Sequence, residues 1–374
     1  MDKEKIRVLF VIRDLFSVGG AERVVIDQIN NLDKDIFDCF LCVLGGDMKK
    51  PLTELVNIDL KKTKKIPFES LLDIRSWIDF IRWLRTEGFD IIYSHLFFAN
   101  FVGRISGKLV GIKKIISVEH NVYLDHSFIQ RFVNFLLSFI THKIIAVSGS
   151  VKNYLMNKEL IRSSKIEVVY NGVDLKRYFF NNDARNEIRK NFDLGERGGV
   201  IISVGRVTEQ KGYDVLLSVA NEIINNRKFP ICFWIVGPNN DDFGKKMKKR
   251  VSDYHLSGYV HFLGSRDDVP DLLSAADMFF MPSKWEGFGL VLIEAMANGK
   301  PAVVSNIDTL KEIVGDNNDF GLTGNNEKEF ADILIKLESD KLFYEKYEKL
   351  SLKRASNFNL ERNIKGISNL FLES

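Results

Sequence analysis

The sequence predicts an α/β fold of two doubly wound domains, each a parallel sheet covered by helices on both faces. Three observations predict it. Short apolar segments alternate with helix-like segments from residue 6 onward, the alternation starts afresh after residue 171, and 374 residues at 45% hydrophobic content exceed what one compact core usually holds.

In the first domain, residues 1–170, IRVLFVI at 6–12 reads as a buried strand. RDLFSVGGAERVVIDQINNL then reads as a glycine turn into a helix, with Val24, Val25, Ile29 and Leu32 at helical spacing. FDCFLCVL, FDIIYSH, KKIISVEH and HKIIAVS follow as strands, and LLDIRSWIDFIRWLRTEG as a helix. KIEVVYNGVD reads as the linker. In the second domain, residues 171–355, GVIISVGRV, ICFWIVGP, YVHFLG, DMFFMPS and KPAVVSN are strand segments, and KGYDVLLSVANEII is a helix. The end of the chain, 356–374, reads as a helix returning to the first domain. Open sheets of this kind bind ligands at the carboxyl ends of their strands, so a cleft between the two domains is the expected site.

Composition narrows the function. A net charge of +3 is small for a protein that lives on phosphate contacts, so no nucleic-acid partner is expected. Three cysteines suit a reducing compartment. Cys39 and Cys42 form a C-x-x-C inside a strand segment, where they point to opposite faces, and no second pair completes a zinc site. The amino-terminal apolar run is short and interrupted by Arg7 and Arg13, which fits neither a signal peptide nor a membrane span. A cytoplasmic protein is expected.

The chemistry concentrates in PSKWEGFGLVLIEAMANGKP at 282–301. Glu286 falls in a loop beside Gly287 and Gly289, whereas Leu290, Ile293 and Ala297 repeat at helical spacing and put Glu294 about one turn into a helix. A glycine-flanked helix start offers bare N–H groups and a positive dipole end to phosphate. Upstream, Arg206 and Lys211 bracket the loop between a strand and KGYDVLL, two cations suited to a diphosphate. The turn Val18-Gly19-Gly20 can bring backbone N–H groups to the same phosphates. His95 and His120 each end a strand segment. Taken singly these are commonplace: a cap, a solvated pair, a turn, two structural histidines. No G-x-x-x-x-G-K-[ST] is present, which disfavours a P-loop nucleotidase.

In combination, Gly19-Gly20-Ala21-Glu22-Arg23, Asn171-Gly172-Val173-Asp174, Gly205-Arg206 with Lys211-Gly212, and Glu286-x₇-Glu294 resemble the retaining family 4 glycosyltransferases, whose GT-B fold sets two Rossmann-like domains across a cleft. The resemblance covers nearly the whole chain. It implies a hexosyltransferase that takes a nucleotide diphosphate sugar as donor and needs no cofactor and no metal. Glu294 would bind the ribose hydroxyls and Glu286 the donor sugar. Arg206 and Lys211 would neutralise the diphosphate, and Gly19, Gly20 and the Phe288, Gly289 and Leu290 backbone would contact the donor. His120 would lie near the sugar, with His95 a candidate on the acceptor side. The departing diphosphate oxygen would take the acceptor proton, so electrostatic stabilisation of the leaving group would dominate catalysis. The segment Asn306–Glu312 lacks the glycine pair usual before that glutamate, and VGPNNDDFG replaces a tighter turn.

Two first-domain stretches raise a membrane question. KKTKK at 61–65 precedes a helix whose Trp77, Ile78, Ile81 and Leu84 share a face, a basic-amphipathic combination suited to anionic lipid. FIQRFVNFLLSFI is so apolar that a core helix is expected. Residues 1–170 carry 25 Lys and Arg against 20 Asp and Glu, a mild excess pointing the same way. The expected acceptor is a glycan or lipid-linked intermediate of cell-surface polysaccharide or glycolipid synthesis, with peripheral contact at the inner face of the membrane. The alternatives are a sugar-nucleotide epimerase of the same fold, which would need no acceptor, a phosphorylase, which would need a pyridoxal lysine, and a non-catalytic binder, which would show no transfer.

Overall fold

The computed structural model describes residues 4–15, 19–45, 56–123, 126–192 and 199–373. The chain separates into two units, one running to Gly172 and resuming at Leu360, the other Val173–Asn359.

The first unit is built on seven parallel strands: β1 (Ile6–Ile12), β2 (Phe37–Val43), β3 (Thr63–Lys65), β4 (Ile91–His95), β5 (Lys114–Glu119), β6 (Lys143–Ala146) and β7 (Ile166–Val168). Their order is β3-β2-β1-β4-β5-β6-β7. Order reverses between β1 and β4, which makes the carboxyl ends of those strands the switch point where such sheets bind ligands. The near-continuous apolar runs read from the sequence follow from helices covering both faces: residues 8–12 of β1 and all five of β4 are buried. KIEVVYNGVD is only partly linker, because Ile166 to Val168 pair with β6 as the edge strand.

The lysines of KKTKK lie on a short turn and on the opposite edge strand, β3, where exposed Lys64 and Lys65 discourage pairing with another chain. The helix after them, Ile74–Glu87, is capped by Asp73 and turns Phe80 and Leu84 into the core, with Trp77 and Trp83 packed against the same cluster. Of the face read from the sequence, Leu84 is buried and Trp77 packs on the core, whereas Ile78 stays half exposed. Among the described residues, no helix is long and apolar enough to cross a membrane.

FIQRFVNFLLSFI departs from expectation. The helix Phe128–Ser138 turns Asn134 and Ser138 inward and leaves Phe128, Ile129, Phe132 and Leu136 exposed. The reason lies beneath it. Arg104, fully buried on the helix Phe97–Val110, donates to Asn134, to Ser117 at 2.6 Å and to Glu119 at 3.2 Å, and Asn134 in turn donates to Glu159. A buried guanidinium and two buried carboxylates require polar partners, and these override the apolar periodicity. Burial, with Glu159 adding to it and Arg104 opposing, pushes the Glu119 carboxyl up to about 7.

The closing helix, Leu360–Leu372, belongs to this unit. Phe371 meets Phe37 and Tyr93 edge-on at 5.7 and 5.1 Å, and Asn363 accepts from Gln28 at 3.1 Å and donates to the Tyr170 carbonyl at 2.7 Å.

The second unit holds six parallel strands: β8 (Gly199–Val204), β9 (Ile231–Val236), β10 (Val260–Gly264), β11 (Met278–Met281), β12 (Ala302–Ser305) and β13 (Leu322–Gly324), in the order β10-β9-β8-β11-β12-β13. Its reversal falls between β8 and β11, the strands that lead into Arg206 and Glu286. The chain enters and leaves the unit side by side, Val173 N–H donating to the Phe358 carbonyl at 2.9 Å.

Replacing Arg104 by Leu should cost about 3 to 5 kcal/mol, since it leaves buried carboxylates without their cation. The loss should shrink as pH falls below 7, because a protonated Glu119 needs no cation. Urea unfolding of both proteins across that range checks it, and a loss that is small at every pH contradicts it.

Candidate active site

The site of the second unit forms where the loops after β8 and β11 meet. At Gly212 the backbone is left-handed (φ +66°), and a Cβ there would stand 1.9 Å from the Pro282 carbonyl oxygen. Only glycine allows this approach. Among the bonds that fasten this region are Lys284 N–H to the Gln210 carbonyl at 2.8 Å, Gln210 Nε2 to the Trp285 carbonyl at 3.0 Å, and Lys284 Nζ to Asp214 at 3.0 Å.

This contact sets Lys211 Nζ 2.6 Å from Glu286 Oε1, with the carboxylate side chain 7% and the lysine 20% exposed. Thr309, on the helix Asp308–Val314, donates to the Glu286 carbonyl at 2.9 Å and holds the loop from behind. Tyr213 donates its hydroxyl to the Gly205 carbonyl at 3.0 Å, and its phenol is pushed up by burial and then by the Glu286 charge. Arg206 is exposed and has no hydrogen bond or ion pair among the described residues. One cation is thus held by a carboxylate, and the other is available to an anion.

Gly289, left-handed at φ +101°, opens the helix Leu290–Ala297 and gives it no side-chain cap. Its first N–H groups and positive dipole end suit phosphate. Phe288 is buried edge-on to Phe358 at 5.8 Å, so what it can present to a ligand is backbone. Glu294 is half-buried on that helix, one turn beyond Leu290.

In the first unit, His95 ends β4 and His120 follows β5. His95 Nδ1 and His120 Nε2 are 2.9 Å apart, and the rings stack with centroids 5.2 Å apart. His95 is wholly buried, its Nε2 meeting no partner among the described residues. A buried bare lone pair costs less than a buried unsatisfied N–H, so the arrangement with His95 Nδ1–H donating to His120 Nε2 is favoured. It leaves His120 Nδ1 as that ring's donor. His95 itself has no exposed surface and lies behind His120.

Burial lowers the His120 pKa to about 4, and burial followed by the His120 charge lowers that of His95. Both rings are neutral at pH 7. Because unfolded imidazoles bind protons near 6.5, the pair contributes stability that is present above that pH and lost as pH falls toward 4.

Gly19 is the N-cap of the helix Gly20–Asn31, again without a side-chain cap, and the Glu22 carboxylate folds back to 2.3 Å from where a Gly19 Cβ would be. An anion arriving here meets a carboxylate. Val18 lies outside the described residues. The Asp33-Lys34-Asp35 run, an Asp-x-Asp in spacing, is spent on the turn into β2, where Asp33 accepts from Asp35 N–H at 2.9 Å. Cys39 and Cys42 are buried free thiols, raised by burial and so unreactive.

Tyr213, Thr309 and Gln210 escaped the sequence reading. Tyr213 directly follows Lys211-Gly212 and could have been noticed there. Thr309 joins the site only through the packing of a later helix and leaves no local signal.

Two doubly wound parallel-sheet units, one carrying a cation pair beside a carboxylate and an uncapped helix, define a glycosyltransferase of GT-B fold. Two family descriptions match, Glycosyltransferase Family 4 over residues 18–177 and Glycosyl transferases group 1 over residues 184–354, and the chain belongs to the family 4 glycosyltransferases. It is 24% identical over 364 residues, 95% of this chain and 94% of the other, to the UDP-Gal:alpha-D-GlcNAc-diphosphoundecaprenol alpha-1,3-galactosyltransferase of Escherichia coli. It is 31% identical over 183 residues, 48% of this chain and 50% of the other, to the lipopolysaccharide core biosynthesis mannosyltransferase LpsB of Rhizobium meliloti. Among solved structures, Anabaena Alr3699/HepE in complex with UDP and glucose superposes with a TM-score of 0.87 over 98% of this chain and 99% of that one, at 21% identity.

Arg206→Ala should leave stability within about 0.5 kcal/mol of wild type, as for exposed positions. Lys211→Ala should cost about 1 to 3 kcal/mol, because it strands the Glu286 carboxylate. Thermal unfolding of both checks this, and equal losses would mean that the ion pair does not hold the loop.

Proposed function

We propose that the chain moves a hexose or N-acetylhexosamine from a nucleotide diphosphate sugar to a hydroxyl of a glycan or lipid-linked acceptor, retaining the anomeric configuration and using no metal. The observation that carries this is the Lys211–Glu286 pair, with exposed Arg206 on the same loop as Lys211 and a helix start without a side-chain cap three residues after Glu286. Two side-chain cations supply the charge that a divalent ion would otherwise bring to a diphosphate. Support for the substrate class comes from the relatives: one acts on a diphosphoundecaprenol-linked sugar, and the structural neighbour holds UDP and glucose.

In this proposal Arg206 and Lys211 take the diphosphate, Glu294 accepts from the ribose hydroxyls, and Glu286 accepts from the sugar. The Phe288–Leu290 backbone faces sugar or phosphate. Gly19 and Gly20 keep the donor-binding part that the resemblance implies. His120, oriented by His95, donates to a sugar hydroxyl and, being neutral, does not compete with the cations for the phosphates. The bond between the anomeric carbon and the diphosphate oxygen breaks while the acceptor oxygen bonds to that carbon from the same face. The acceptor proton passes to the departing oxygen. Charge builds on the diphosphate, where fixed cations stabilise it most. A lipid-linked acceptor would bring the protein to the inner face of the membrane as a peripheral enzyme.

Arg206→Ala and Lys211→Ala should each lower turnover by about 10² to 10³. Assay with UDP-sugars and a diphospholipid-linked acceptor, in excess chelator, checks the rest. The expected result is undiminished transfer, with a product whose anomeric proton coupling matches the donor's. Loss of activity restored by magnesium or manganese overturns metal independence, and an inverted product overturns retention.

A further inference from the structure

The helix Phe128–Ser138 has its polar residues inside and its apolar residues outside. Phe128 is 80% and Ile129 72% exposed, and Phe132, Leu136 and Phe139 are about half exposed. At 100° per residue these five fall within an arc of about 100° on the helix, away from buried Asn134 and Ser138. Phe128 stacks on Phe132 and Phe135 meets Phe139 edge-on, so the stripe is an ordered aromatic surface. The helix cannot roll this face inward. Its buried side is held by Arg104 and Glu159 through Asn134, and its start by a capping box between Ser127 and Gln130. Beyond the end of the helix Gly149–Lys158, Leu160 is also exposed, on a left-handed backbone at φ +56°.

Charge identifies what covers the stripe. The helix itself and its neighbours Phe97–Val110 and Gly149–Lys158 contain no Asp or Glu, while Lys108, Arg131, Lys152 and Lys158 lie at or near their surfaces. Within these three helices every charged side chain is basic, and an apolar aromatic stripe in such a setting is complementary to a layer of acyl chains under anionic headgroups. A second copy of the same surface would set cation against cation, with no carboxylate on these helices to pair them.

We propose that the Phe128–Ser138 helix is the membrane-docking surface of this protein, lying in the plane of an anionic bilayer with its aromatic stripe at the headgroup boundary and the flanking lysines and arginine on the phosphates. This places the contact away from the basic stretch at 61–65, whose lysines serve a sheet edge. Docking is independent of which sugar is moved, so its test is binding and not transfer.

The full-length protein and its Phe128→Ser/Phe132→Ser variant are sedimented with phosphatidylcholine vesicles, with and without phosphatidylglycerol, at low and high salt. Both side chains are exposed, so the variant should keep the wild-type unfolding temperature. Wild type should bind the phosphatidylglycerol vesicles and be released by salt, and the variant should bind about tenfold more weakly or worse. Failure of wild type to bind, equal binding by a variant that is natively folded, or equal binding to both vesicle types overturns the proposal. Self-association of wild type that the variant abolishes, without vesicle binding, would assign the stripe to a second copy and overturn it equally.

Discussion

The ion pair between Lys211 and Glu286 organises the second unit's functional end. Lys211 sits on the loop leaving β8 and Glu286 on the loop leaving β11, so their contact joins the two strands that flank the reversal of strand order. Glu286 is too buried to stay charged cheaply without a cation. Its partner is brought close because Gly212 lets one backbone press on the other and because Thr309 fixes the Glu286 carbonyl from a third element. Under the proposed roles, Lys211 exchanges the carboxylate for a phosphate while a sugar hydroxyl takes its place at Glu286, so neither buried charge is stranded.

Much of this was legible in the sequence, for physical reasons. Strands covered on both faces must be apolar throughout, so segments such as IRVLFVI and ICFWIV announce themselves, and Gly-Phe-Gly before an apolar helix marks a helix start with bare N–H groups. The candidate residues Arg206, Lys211 and Glu286 stood out because each lies at a strand-to-loop or loop-to-helix boundary, and Glu294 because it falls one turn into the helix that follows. What spacing along a chain cannot show is pairing through space. That Lys211 holds Glu286, that His95 is buried behind His120, and that Thr309 braces the site depend on residues 23 to 75 positions apart coming together.

The helix Phe128–Ser138 shows how a local pattern can mislead. Its composition reads as core because apolar periodicity says which residues share a face, not which way the face points. The direction is decided by Arg104, a cation on another helix that demands Asn134 as a partner. One buried guanidinium thus turns five apolar side chains outward, a cost in water that is relieved if the face meets lipid. Glu119, in the same network, immediately precedes His120, so the residues that hold the outward helix also anchor the start of the histidine's loop.

The central claim is that Glu286 serves the sugar while Lys211, its ion-pair partner, serves the diphosphate. Calorimetry of nucleoside diphosphate binding to wild type and to Glu286→Gln, beside Lys211→Met and alongside turnover of each, tests it most directly. Removing the carboxylate frees the lysine, so Glu286→Gln should bind the nucleoside diphosphate as tightly as wild type or more tightly while losing turnover, and Lys211→Met should bind it more weakly. If Glu286→Gln and Lys211→Met weaken nucleoside diphosphate binding alike, the two residues act as one structural unit and the division of labour between sugar and phosphate is wrong.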